Sequence, residues 1–108
     1  MEAVIIHTTF PDIASADRIL RQLVEERLAG CAQRASTPVH SIYPWKGQLE
    51  QGDEIMAWIK TRPRQVESLR RRLAELHPYE LCEFVVTQGT ASAEYGAWLA
   101  RWCDPDPT

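Results

Sequence analysis

The sequence has no asparagine, only 5 glycines and 3 cysteines, and no apolar run near the roughly 20 residues that cross a bilayer. Each shortage excludes something. Small enzymes that cleave acyl phosphates pair an arginine with an asparagine, so that chemistry is unavailable. No phosphate-cradling glycine loop and no Ser-His-Asp ordering stands out, and the chain is read as a non-enzyme. The cysteines, at 31, 82 and 103, are odd in number and lack CxxC spacing, unlike a secreted disulfide framework. No basic and then apolar leader opens the sequence, so the expected compartment is the cytoplasm. A basic excess is also missing. The formal net charge is -3, which argues against a nucleic-acid partner, and no membrane partner is expected.

What remains is a chain of 108 residues, enough for one domain. Ala3 to Thr9 (AVIIHTT) is a β-branched apolar run and reads as a buried strand. Asp12 is placed to cap a helix whose apolar positions are Ala16, Leu20, Leu23, Val24 and Leu28, with Gly30 as its left-handed stop. Residues 31 to 43 read as a second strand, broken near Pro38. Residues 44 to 47 (PWKG) form a turn, and Glu54 to Thr61 a third strand. A second helix starts at Pro63, carries Val66, Leu69, Leu73 and Leu76, and stops at His77-Pro78. Glu83 to Gln88 is a fourth strand, and Tyr95, Trp98, Leu99 and Trp102 mark a last helix. The tail, 104–108, holds two prolines and reads as disordered after a single domain of residues 1–103.

The order β-α-β-β-α-β plus a terminal helix predicts an α+β, ferredoxin-like sandwich with antiparallel strands in the spatial order 4-1-3-2. In the third strand Ile55, Ala57 and Ile59 face one way, and Met56 and Trp58 the other. Two helices cover one face only. The other face needs the last helix, a second subunit, or both, so a homo-oligomer is expected.

Five motifs stand in sequence: ERLAGC (26–31), SIYPWKG (41–47), Lys60-Thr61, HPYE (77–80) and YGAWL (95–99). Their order resembles that of the CutA family, which is named for divalent-cation tolerance. The chain resembles that family over roughly residues 3 to 102. The resemblance implies a homotrimer whose sheets pack around a three-fold axis, a shape similar to the PII signalling proteins, and a link to divalent copper. It implies no reaction. Two positions depart from the family pattern. Cys82 stands where proline is frequent, and His7 where some members carry cysteine.

The expected metal ligands are His7, His77 and Cys82. The end of strand one and the start of strand four share one end of the sheet, with neighbouring strands about 4.8 Å apart. Imidazole suits divalent copper, the first choice, and zinc, the second. The plain alternative is that His77 only ends a helix while His7 and Cys82 pack. Cys31 lies at the opposite edge, roughly 14 Å away, and is read as a buried small residue. Tyr43, Trp45, Tyr79, Glu80 and Trp98 are expected at a subunit interface or ligand cleft. Arg62, Arg64 and Arg70 to Arg72 form a basic helix face, usually just solvated. Two functions therefore stand open: a trimeric copper-binding tolerance protein, or a PII-like scaffold that binds a small anion or a partner protein without metal.

Overall fold

A computed structural model describes residues 1–104. Strand β1 (Glu2–Phe10) leads into α1 (Ile13–Glu25). Strands β2 (Cys31–Arg34), β3 (Val39–Trp45) and β4 (Gln48–Thr61) follow. A 3-10 turn (Pro63–Gln65) opens α2 (Val66–Leu76), and β5 (Val85–Thr90) and α3 (Ala93–Cys103) complete the chain. The sheet order is β2-β4-β1-β5, with β3 paired to β4 beyond β2. Counting β2 and β3 as one broken strand, this is the expected ferredoxin-like order.

The core lies between the sheet and the two helices α1 and α2. Ile6, Phe10 and Ile59 of the sheet meet Ile19 and Leu23 of α1 and Leu69 and Leu73 of α2, all essentially without solvent contact. Asp12 caps α1 as expected, its carboxylate accepting from the Ser15 amide at 2.7 Å. The helix does not run to Gly30. It ends at Glu25, and Arg27 takes the left-handed conformation at φ 63°. The Leu28 amide donates to the Leu23 carbonyl and the Arg27 amide to the Val24 carbonyl, both at 3.0 Å. That is the six-to-one and five-to-two pattern of a Schellman stop. The unfavourable backbone at Arg27 is offset by its guanidinium, which lies 4.0 Å above the Trp102 ring of α3. Gly30 serves a different purpose. A Cβ there would collide with Leu99 of α3, so glycine permits the close approach of helix and strand.

Three further boundaries differ from the sequence reading. β4 begins at Gln48, six residues before the expected Glu54, because residues 48–53 pair with β3 in a hairpin. That hairpin turns on Lys46 (φ 51°) and Gly47 (φ 81°), the two positive φ values of a tight two-residue turn. β5 starts at Val85 rather than Glu83, since pairing with β1 begins there, at Val85↔His7. Asp104 is also ordered: it stops α3 and pairs with Arg62 at 3.2 Å. The rest of the expected disordered tail, 105–108, lies outside the described residues.

The sheet is apolar on its second face too. Register places Ile5, His7, Met56, Trp58 and Val85 there, opposite the parity of Ile6, Ala57 and Ile59. These side chains are half-buried or exposed, Val85 at 50%. The last helix covers one end of the sheet, through the small cluster of Ala3, Leu99 and Cys103, and leaves Val85 exposed.

Candidate functional site

His77 closes α2. Pro78 holds it extended, at φ -72° and ψ 137°, and turns its ring inward. The ring stacks on Phe10 with centroids 4.9 Å apart. Nε2 donates to the Thr9 carbonyl at 2.7 Å, and Nδ1 accepts from the Tyr79 amide at 3.1 Å. This pairing specifies the neutral imidazole with its proton on Nε2. Burial pushes the pKa of His77 down, opposed by the Thr9 carbonyl and the Glu54 carboxylate. Both ring nitrogens are committed.

His7 lies elsewhere. Phe10, under the His77 ring, has the parity of the helix-covered face, whereas His7 has the parity of the open face. Its Nε2 meets the Thr87 hydroxyl at 3.0 Å, and its Nδ1 makes no hydrogen bond among the described residues. Cys82 packs beside the main core, and burial raises its thiol pKa, which keeps it protonated. The structure thus does not gather His7, His77 and Cys82. Among the described residues no three His, Cys, Asp or Glu side chains are grouped to hold one metal ion. A copper site confined to one protomer does not fit this donor set.

The aromatic residues fare differently. Tyr43 and Trp45 of β3 form one wall of a cleft of about 780 Å3, and the segment 78–83 forms the other, bringing Tyr79 and Glu80 to face them. Trp98 is not part of it; it stacks with Tyr95 on α3 at 5.4 Å. The floor is Thr9 and Glu54, joined by a 3.0 Å bond from the Thr9 hydroxyl to the carboxylate. Burial and then the nearby Glu54 carboxylate push the Tyr79 hydroxyl above its usual range. The sequence reading missed Glu54. Its only signal was a carboxylate opening an otherwise apolar strand.

Other candidates are committed to structure. Arg70 pairs with Glu67 at 2.5 Å, Arg72 with Glu26 at 2.9 Å and with Glu75 at 3.0 Å, and Arg62 with Asp104. Three arginines of the basic face are thus paired with their own neighbours, while Arg64 and Arg71 make no ion pair among the described residues. His40, not singled out before, pairs across the hairpin with Asp53 at 3.0 Å, which raises its pKa. The cysteines are free: Cys31 and Cys82 half-buried, Cys103 buried.

The family model described as CutA1 divalent ion tolerance protein matches residues 4–101. The chain belongs to the CutA1 family. The divalent-cation tolerance protein CutA of Thermococcus kodakarensis is 37% identical over 102 residues, covering 94% of this chain and 96% of that protein. The CutA homolog of Xenopus laevis is 40% identical over 79 residues, 73% of this chain but 52% of its own length. Among solved structures, CutA from Xylella fastidiosa superposes with a TM-score of 0.87 at 38% identity, over 94% of this chain and 98% of that one. A CutA from Archaeoglobus fulgidus described as periplasmic superposes at 0.89, but at 24% identity it bears on the fold alone. The CutA1 match agrees with the motif-based reading, and the family is named as a tolerance protein rather than an enzyme. No helix among the described residues is long and apolar enough to cross a membrane.

Proposed function

We propose that the chain acts in divalent-cation tolerance as a cytoplasmic homotrimer, and that divalent copper, with zinc second, is bound by ligands completed between subunits. The observation that carries this reading is the uncovered sheet face, where Ile5, Met56, Trp58 and Val85 stand around His7. An apolar face of this kind is seldom left in water. A three-fold assembly through it would bring three copies of His7 under one roof, each with Nδ1 uncommitted. Imidazole nitrogen is a good donor for both metals. Three unpaired cysteines favour a reducing compartment.

His7 is the ligand to test first. Cys82 follows, at the cost of deprotonating a buried thiol. His77 would bind only by giving up one of its backbone partners, the Tyr79 amide for Nδ1 or the Thr9 carbonyl for Nε2. The scaffold reading without metal keeps Arg64 and Arg71 as its anion-binding candidates, since Arg70 and Arg72 are already paired. In equilibrium dialysis against a competing chelator, His7→Ala is expected to weaken copper binding by at least about tenfold, the loss of one good ligand. His77→Gln should leave copper affinity unchanged. Parent-like affinity in His7→Ala would remove the site as placed.

A further inference from the structure

The cleft between β3 and segment 78–83 holds three carboxylates, from Glu54, Glu80 and Glu83, and no lysine, arginine or histidine. Tyr43, Trp45 and Tyr79 supply aromatic surface beside them. The chain already places a cation against this surface. Lys46, from the hairpin turn, sets its ammonium 3.6 Å from the Glu80 carboxylate and 5.7 Å from the Trp45 ring centroid. Carboxylate and aromatic face together are the usual recognition of an alkylammonium group. The Lys46 and Glu80 side chains are 71% and 72% exposed, so the pair is weak and displaceable. The negative charges are also spread out. No three acidic, histidine or cysteine groups among the described residues are close enough to share one ion. Glu54 sits at the floor, fixed by Thr9, while Glu80 and Glu83 line the opposite wall. Ile42, Pro44 and Leu81 add apolar surface to the same lining. Separated charges beside apolar surface do not suit a metal ion. They suit a ligand with two cationic ends and a methylene body.

We propose that this cleft binds linear aliphatic diamines and polyamines. One ammonium meets Glu54, a second displaces Lys46 from Glu80 and Trp45, and the methylene chain lies over Ile42 and Leu81. This site does not include His7, the first copper ligand proposed above, shares only Cys82 with that set, and needs no metal.

The test is isothermal titration of the metal-free protein with 1,4-diaminobutane, beside butylamine and butane-1,4-diol as one-charge and no-charge probes. Saturable binding of the diamine is expected, at least about tenfold tighter than butylamine, with no heat from the diol. Glu54→Gln should weaken it about tenfold. Lys46→Ala should tighten it a few-fold by removing the internal competitor, a gain that no merely structural role for Lys46 would give. Glu80→Gln serves as the second carboxylate variant where Glu54→Gln does not fold. Absence of diamine binding at low salt overturns the proposal, as does equal binding of the diol. Parent-like binding by both Lys46→Ala and the carboxylate variant overturns it too.

Discussion

His77 joins three elements through one ring: it ends α2, stacks on β1, and fixes the loop that forms one wall of the cleft. The sequence reading offered it as a metal ligand or a helix end, and the choice turned on contacts that spacing does not reveal. Nothing in HPYE announces that the Thr9 carbonyl, 68 residues away, will take the Nε2 proton. The role has a pH signature. Because burial lowers the folded-state pKa, the unfolded chain takes up the proton first as pH falls. The contribution is therefore complete above the ordinary histidine value of about 6.5 and is lost as pH drops from there through the folded-state value. His40 has the opposite sign: its raised pKa gives a contribution present in acid and lost as pH rises through that value. We expect His77→Gln, made in a His40→Gln background, to lose roughly 3 kcal/mol at neutral pH and to flatten the acid-side slope in denaturant titrations. An unchanged slope would mean that His77 is not held neutral.

At the scale of elements, the regular parts were legible and the polar ones were not. The apolar stripe of α2 and the β-branched run of β1 carry their own periodicity, and both appear where expected. The first half of β4 (residues 48–53) is polar and mostly exposed, so it shows no pattern to read; its partner β3 makes it a strand. The stop of α1 was misplaced for a related reason. Gly30 looks like a helix stop, but the stop is Arg27, affordable because Trp102 of a distant helix lies beneath its guanidinium. The same distance hid the true use of Gly30 against Leu99. Gly30→Ala is therefore expected to destabilise the fold by about 1–3 kcal/mol, as for other overpacked cores. Thermal denaturation against Gly47→Ala, which meets no neighbour and only strains a turn, separates the packing effect from the backbone one. A smaller loss at Gly30 than at Gly47 would contradict the packing account.

The whole molecule is long rather than round. Its extents are 50 × 25 × 25 Å, and its radius of gyration of 14.7 Å exceeds the ~13 Å of a compact domain of 100 residues. The projecting hairpin exposes Ile42 at 64% and Leu49 at 77%, and the sheet's second face adds exposed Val85 and half-buried Trp58. The two-faced strands were readable from alternation alone; what would cover them was not, because a second subunit would leave no trace in one chain's periodicity. A charge at the centre of that face should prevent assembly without unfolding the protomer. Trp58→Glu is expected to run as a monomer with parent-like secondary structure when its mass is measured by light scattering after size exclusion.

The most direct measurement is native mass spectrometry of the untagged protein, metal-free and then with a small excess of divalent copper. The account predicts a trimer in both states. Added copper should be held with defined stoichiometry against a weak competing chelator, and that retention should disappear in His7→Ala. A monomer, or a trimer whose copper is scattered and easily stripped, would contradict it.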